Sequence, residues 1–293
     1  MKKCLKTVNV TKMLSFASGI IILSAMSCSS EASSAETVMT GQEVISAIEL
    51  NYSDETELIS DEVAGIAEDV YAIDEISETS KTAYFSDFLP DCVTVTTVVT
   101  GNTKEKTIDF GKGCELPNGN VLSGIIEMSY SLDMEAVSKS IALTLEDFTF
   151  NGVSVEGGAD VLRIRSNENG NPQGTVNASF EATWPDGETA TFNGIRIREW
   201  IEGYGTGFWG DNVFLVTGNG TYVGRAGNVF TKQVSSPLRR ELSCRFIVSG
   251  ILDISRNDNT VSLDFGDGSC DAKGTLTYPD GTVEEVFLRR FLL

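Results

Sequence analysis

Aromatic and acidic side chains are concentrated in residues 198–211, and together they could bind a sugar. This stretch holds two of the three tryptophans, a tyrosine, four glycines and three acids. Aromatic faces stack on sugar rings, carboxylates accept hydrogen bonds from hydroxyl groups, and glycines allow a ligand to approach the backbone closely. The predicted ligand-binding residues are Trp200, Glu202, Tyr204, Trp209 and Asp211.

Two other interpretations of this stretch remain open. It could be a wide loop between two strands whose aromatic side chains plug an open end of the sheet. Alternatively, Glu199, Glu202 and Asp211 could supply the two carboxyl groups of a glycosidase, which lie roughly 5–10 Å apart. The glycosidase interpretation is the weakest, because no hydrolase pattern surrounds these acids. We therefore expect a protein that is not an enzyme and uses no cofactor.

The chain contains no histidine. This excludes Ser–His and Cys–His nucleophile systems and histidine-based zinc or iron sites. Residues 167–171 and the group Asp264, Asp267 and Asp271 contain oxygen ligands that would suit Ca²⁺. Asn and Asp are also favoured in turns for local reasons, so turn chemistry is the preferred interpretation and no metal site is predicted.

The chain is strongly acidic, with 42 acidic and 22 basic residues and a net charge of −20. Residues 31–91 alone hold 16 acids and one base, Lys81. Phosphate binding requires clustered lysine and arginine, so nucleic acid is not an expected partner. The expected partners are the membrane, through a lipid anchor, and a glycan or another envelope protein.

Residues 1–27 have the features of a lipoprotein signal peptide. Four lysines accompany an apolar segment at residues 16–26, which is too short to span a bilayer. The segment ends in Ala25-Met26-Ser27-Cys28, which resembles the lipobox in which the cysteine is acylated and becomes the new N-terminus. We expect palmitate and related chains on Cys28 to anchor the protein to the outer membrane, on its periplasmic or surface face. Ordinary cleavage near Ala25, with a free Cys28 thiol, is the alternative.

The remaining cysteines predict two disulfides. Cys4 leaves with the signal peptide, and an even number of cysteines in an exported chain favours disulfides. The sequence DFGKGC ending at Cys114 recurs as DFGDGSC ending at Cys270, and a cysteine begins the β-rich run before each copy, at Cys92 and Cys244. The midpoint of each pair falls on turn-like residues, which predicts the hairpin staples Cys92–Cys114 and Cys244–Cys270. Zinc held by four thiolates is the alternative, although no CxxC spacing supports it.

The acidic segment contains one predicted helix, residues 54–80. Ile59, Val63, Ile66, Val70 and Ile73 form an apolar stripe with helical spacing on an otherwise acidic surface. Asp54 with Glu57 predicts an N-terminal capping box, and residues 28–53 are predicted to be an acidic tether with a few helical turns near residues 43–50. Docking of the stripe on the β domain is the preferred interpretation. A partner-binding or self-associating helix, and disorder, are the alternatives.

Residues 92–293 predict a single all-β domain. Apolar and polar residues alternate along residues 176–184 and 195–198, and Pro-Asx-Gly turns recur at 117–119, 185–187 and 279–281. Further turns are predicted at 151–152, 167–171 and 218–220. The fold class is an antiparallel meander of roughly a dozen strands, forming a curved sheet, an open barrel or a sandwich. The repeated cysteine motifs indicate related hairpin units at its two ends.

Several of these motifs together resemble a group of uncharacterised lipoproteins from Bacteroidota-type bacteria. The resemblance rests on Cys92-Val93-Thr94-Val95, the two DFG copies, Trp184-Pro185-Asp186-Gly187, Arg198-Glu199-Trp200-Ile201 and Pro237-Leu238-Arg239-Arg240. It implies an envelope location and a stapled β architecture, and it implies no activity. The sequence therefore predicts a non-enzymatic envelope lipoprotein that binds a ligand or a protein, with a structural or adhesion role as the alternative.

Overall fold

A computed structural model describes residues 44–80, 83–133 and 136–288. The predicted signal peptide, Cys28 and most of the predicted tether lie outside these residues. The described elements are one α-helix, one short 3₁₀ helix and fourteen strands. Their bounds are α1 Ala47–Ser80, β1 Thr94–Thr100, β2 Thr103–Asp109, β3 Cys114–Glu115, β4 Val121–Ser131, β5 Ser138–Phe150, β6 Val153–Ile164, β7 Gln173–Thr183, β8 Thr189–Glu202, the 3₁₀ helix Trp209–Asp211, β9 Val213–Val223, β10 Val229–Glu241, β11 Ile247–Arg256, β12 Asn259–Asp267, β13 Lys273–Thr277 and β14 Val283–Phe287.

All fourteen strands belong to one antiparallel sheet that follows the chain order. The path runs from β1 to β2, then from β4 through β14, and the short β3 pairs with β4 beside that path. The sheet does not close, since β1 and β14 lie at its two ends. The predicted all-β meander with an acidic N-terminal helix is confirmed. Of the three predicted forms, the curved sheet, the open barrel and the sandwich, the structure has the curved open sheet.

The sheet curls around the helix. One carboxylate, that of Glu62, accepts hydrogen bonds from Asn118 and Asn120 at the β3–β4 turn, and it also lies 3.4 Å from Nη2 of Arg240 on β10. Six strand spacings separate β4 from β10, which is roughly 29 Å on a flat sheet. Because one side chain reaches both places, the sheet must bend back on itself with the helix inside.

Alternation along the strands sends one set of side chains toward this helix. Along β7, Val176, Ala178, Phe180 and Ala182 are buried and their neighbours are more exposed. The helix contributes its own apolar stripe, whose first four side chains, from Ile59 to Val70, are at most 1% exposed, while its last, Ile73, is partly exposed. The predicted docking of the stripe on the β domain is confirmed, and the hydrophobic core lies between the helix and the inner face of the sheet.

The helix begins at Ala47, earlier than the predicted start at Asp54. Ser46 caps it, because its Oγ accepts a hydrogen bond of 3.2 Å from the backbone N–H of Glu49. The predicted capping box at Asp54 and Glu57 was wrong, since both residues lie inside the helix and are buried. Residues 47–53, which were predicted to belong to the tether, are therefore part of the helix.

Glycines at bulges allow the strands to bend. Gly124 has φ +80° and lies where the β4–β5 register shifts between Ser123 and Ile125. Gly250 has φ +109° and lies at the matching shift between Ser249 and Ile251 in β11–β12. At each shift two residues of the partner strand, β5 or β12, lie opposite the single glycine. The extra residue increases the local twist, and glycine adopts a positive φ without steric cost.

Both predicted disulfides are present, Cys92–Cys114 and Cys244–Cys270. Each one closes the base of a hairpin whose turn lies where the midpoints predicted, at Gly101 and at Asn257-Asp258, which all have positive φ. The predicted Pro-Asx-Gly turns are also present, and the N–H of Gly119, Gly187 and Gly281 donates to the carbonyl three residues earlier in each. The turn predicted at residues 218–220 was wrong, because these residues lie within β9.

The two sequence repeats form the same strand pair in opposite chain order. Asp109 of β2 lies opposite Ile125 of β4, and Asp264 of β12 lies opposite Ile251 of β11. In both pairs the DFG strand lies beside a strand containing Ser-Gly-Ile. The DFG strand comes first at the N-terminal end and second at the C-terminal end, so the local pairing is repeated but the connection is not.

Candidate functional site

The most unusual feature of the molecule is a series of ion pairs buried between α1 and the inner face of the sheet. Seven cationic side chains on the strands are at most 5% exposed: Lys106, Lys139, Arg163, Arg196, Arg198, Lys232 and Arg240. Six of these seven, all but Lys139, form ion pairs with acids of the helix. Many of the helix acids, expected on a solvent-facing surface, therefore lie inside the protein.

Glu57 holds two of these cations. Its Oε1 accepts a hydrogen bond of 2.5 Å from Nε of Arg196, and its Oε2 lies 2.7 Å from Nζ of Lys232. Lys232 is fully buried and also donates to the backbone carbonyl of Ser53 at 3.1 Å. Burial by itself would raise the pKa of Glu57, but the charges of Arg196 and Lys232 dominate and hold that pKa at about 2.

Arg198 and Arg240 share the next acids along the helix. Arg198 pairs with Asp61 and donates through Nε to Glu68 at 2.9 Å, while Arg240 donates through Nε to Asp61 at 2.8 Å. The guanidinium of Arg198 also lies 4.5 Å from the centre of the Phe214 ring. Complete burial raises the pKa of Glu68 to about 8, opposed by the positive charge of Arg163.

The C-terminal half of the helix is fixed in the same way. Asp74 accepts hydrogen bonds from Lys104, Lys106 and the hydroxyl of Tyr130, at 2.8, 2.9 and 2.5 Å. Burial by itself would raise the pKa of Asp74, but these three donors outweigh burial and hold that pKa below its usual value. Nearer the middle of the helix, burial raises the pKa of Asp69 to about 7, although the hydroxyl of Ser86 donates to it at 2.9 Å.

The cavity beneath the helix at Glu57 and Asp61 is small. The cavity between Glu57, Asp61 and the three arginines Arg196, Arg198 and Arg240 measures about 10 Å³. That volume is about enough for a single water molecule. Glu68 and Asp69, the carboxyl groups with raised pKa values, do not line it. The ion pairs therefore hold the helix in place and leave no room there for a substrate.

The predicted sugar-binding residues do not form an open aromatic groove. Trp200 is 2% exposed, and its ring packs edge-on against Tyr204 at 5.1 Å and beside Phe214 at 4.9 Å. The hydroxyl of Tyr204 donates to Glu75 of the helix at 2.9 Å. Trp200 and Tyr204 therefore face the protein interior, close to the C-terminal part of α1.

The rest of the loop closes over the segment that follows the helix. The backbone N–H of Trp209 donates to Asp87 at 2.6 Å, and the Trp209 ring lies 6.4 Å from that of Phe88. Asp211 accepts a hydrogen bond from the hydroxyl of Thr206 at 3.0 Å, and Glu202 pairs with Arg239 at 3.0 Å. This arrangement agrees with the interpretation in which the aromatic side chains plug an end of the sheet.

The two loops considered for calcium use their oxygens locally. Glu199 accepts hydrogen bonds from Asn169 and Asn171 at 2.8 and 2.9 Å, and the side-chain amides of Asn167, Asn171 and Asn169 lower its pKa. Asp264, Asp267 and Asp271 each accept a hydrogen bond from the backbone N–H two residues later. In the described part of the chain, no group of three or more acids and cysteines is placed to hold a metal ion.

The comparisons with known proteins do not place the chain. No family model, curated protein or solved structure matches it. Among the described residues, no helix has the length and apolar character needed to cross a membrane. The two disulfides indicate an oxidising compartment outside the cytoplasm.

Proposed function

We propose that the protein is a non-enzymatic lipoprotein of the cell envelope, anchored through Cys28, that acts through its outer surface in a structural or protein-binding role. The proposal combines the lipobox-like sequence before Cys28 with the two disulfides, which suit an exported domain. The resemblance to envelope lipoproteins points the same way.

The choice of an outer-surface role rests on what occupies the inner face of the sheet. The inner face of the sheet, where a curved β protein would usually hold a small ligand, is occupied by the protein's own helix. Six buried cations on the strands pair with acids of the helix and hold it there. A ligand-binding role inside the sheet would require this helix to leave, which would break all of these buried pairs. A role on the outer surface requires no such change.

The anchor is tested by incorporation of labelled palmitate into cells that produce the chain. The full chain should be labelled and should sediment with membranes, and Cys28→Ser should lose both properties. Cys4→Ser is the matched control, because Cys4 lies within the predicted signal peptide and should leave labelling unchanged. Labelling of Cys28→Ser, or sedimentation of Cys28→Ser with membranes, would contradict the predicted anchor.

The role is tested on the purified protein by thermal shift with panels of fatty acids and oligosaccharides. The occupied interior predicts no saturable change in melting temperature with either panel. A saturable stabilisation that disappears in Trp209→Ala would instead support the sugar-binding interpretation.

A further inference from the structure

Strand β1 lies at one end of the sheet and is exposed along its whole length. Its seven residues, Thr-Val-Thr-Thr-Val-Val-Thr, are all β-branched and uncharged, and each is exposed. Val95, Val98 and Val99 are 41, 51 and 55% exposed, so both faces of the strand meet solvent. A long edge strand of this composition is a template for pairing with another strand, and proteins usually protect such edges with charge or proline.

The fold holds this strand rigidly although, among the described residues, no strand lies beside its outer edge. All seven residues pair with β2, from Thr94 opposite Asp109 to Thr100 opposite Thr103. The disulfide Cys92–Cys114 closes the base of the same hairpin. The edge is therefore preorganised, which lowers the entropy cost of adding a further strand.

The hairpin geometry shows which backbone groups face outward. In a hairpin with a two-residue loop, here Gly101-Asn102, the residues flanking the loop form a hydrogen-bonded pair. Because such pairs alternate along an antiparallel ladder, every second residue from Thr94 to Thr100 directs its backbone groups toward β2. The backbone N–H and C=O groups of the three residues between them, Val95, Thr97 and Val99, therefore point away from the sheet.

We propose that β1 is a dimerisation strand, which pairs antiparallel with β1 of a second copy about a two-fold axis at Thr97. In this register Thr97 lies opposite Thr97 of the second copy, and Val95 lies opposite Val99 on either side. These are the residues whose backbone groups point outward, so the groups that need partners meet each other. A two-fold interface requires a self-complementary surface, and the near-palindromic order of threonine and valine supplies one.

Charge favours this edge as the place where two copies meet. Two chains with a net charge of −20 repel each other over most of their surfaces. Strand β1 carries no charge, so pairing two of these strands places no like charges opposite each other. A second copy can therefore approach along β1 at a lower electrostatic cost than along the acidic parts of the surface.

Disulfide trapping in the full chain tests the register. Thr97→Cys would place the two new cysteines opposite each other, with Cα atoms about 5.5 Å apart, which suits a disulfide. Thr94→Cys is the matched control on the same exposed strand, because its two copies would lie roughly 20 Å apart along the strands. We expect a dimer band on a non-reducing gel for Thr97→Cys and none for Thr94→Cys.

Equal dimer bands for the two variants, or none for either, would overturn the proposal. So would a Thr97→Cys band at the mass of a different partner, since another protein would then occupy the edge.

A charge exchange keeps the proposal testable if the cysteine variants misfold. Differently tagged copies of the full chain should co-purify, and this should be lost when both copies carry Thr97→Lys, because like charges would lie directly opposite each other. Copies carrying Thr97→Lys and Thr97→Glu should co-purify again. Retention of the complex between two Thr97→Lys copies would overturn the proposal.

Discussion

Replacing Glu57 with glutamine is expected to destabilise the protein by about 3–5 kcal/mol, which is the usual cost of removing one partner from a buried ion pair. The substitution keeps the shape of the side chain and removes its charge. Arg196 and Lys232 would then remain buried with no carboxylate between them. Urea unfolding with the disulfides intact measures the loss as a lower midpoint at an unchanged slope.

Glu78→Gln is the control for this experiment, because Glu78 is an exposed acid of the same helix. It should change the free energy of unfolding by less than about 0.5 kcal/mol. Comparable effects of the two substitutions would show that burial of the Glu57 charge has no special importance.

The contribution of Glu57 also has a definite pH dependence. Its pKa in the folded protein, about 2, lies below the value of 4.5 expected without the fold. The folded state therefore releases this proton more readily than the unfolded state, and the stabilisation is complete above about pH 4.5. It should be lost as the pH falls from about 4.5 to 2, and Glu57→Gln should remove that part of the pH dependence.

Gly124→Ala is expected to destabilise the protein by about 2–5 kcal/mol. An L-residue at its φ of +80° costs about 1–2 kcal/mol. An added Cβ would also overlap the carbonyl oxygen of Asp147 and lie 2.7 Å from Cα of Phe148. Relieving that overlap would open the bulge between β4 and β5 and adds about 1–3 kcal/mol.

Gly152→Ala separates the two effects in the same measurement. Gly152 has a similar φ, +84°, and an added Cβ there would meet nothing within 4 Å. Gly152→Ala should therefore lower the free energy of unfolding only by the cost of the positive φ, about 1–2 kcal/mol. Equal losses for the two glycines would mean that close approach at the bulge does not help to set the curvature.

Features that depend on nearby residues could be predicted from the sequence. The disulfide pairing followed from two copies of one motif, each with a turn midway between its cysteines. The meander followed from the alternating strands and the Pro-Asx-Gly turns, and docking of α1 followed from its apolar stripe. In each case the residues that carry the signal lie close together in the chain, as the two disulfides with separations of 22 and 26 residues illustrate.

The buried ion pairs could not be predicted in the same way. Ile195 and Ile197 alternate with Arg196 and Arg198, and hydrophobicity alone favours the isoleucines for the interior. The arginines are buried instead, and Ile195 is 44% exposed. The reason is the partner of each arginine, because Glu57 and Glu68 lie 139 and 130 residues away in the sequence. The only local signal was the excess of acids in one helix and of cations at alternate positions in the strands.

The aromatic stretch shows a different limit of sequence reasoning. Trp200, Tyr204 and Trp209 have the composition of a sugar site, but the same composition suits a plug. The choice depends on a distant part of the chain, where Glu75 accepts the hydrogen bond of the Tyr204 hydroxyl and Phe88 packs near the Trp209 ring. Composition specifies which contacts a side chain can make, and the fold decides which partner is near enough to make them.

Native-state hydrogen exchange tests most directly the claim that α1 is an integral part of the core. Six buried cations of the sheet pair with acids of this helix, so removing the helix alone would expose them together. Backbone amides at the centre of α1 should therefore exchange as slowly as those of β7 and β8, and only through global unfolding. Helix amides that exchange much faster than those of β7 and β8 would contradict the account, because the helix would then open while the sheet stays folded.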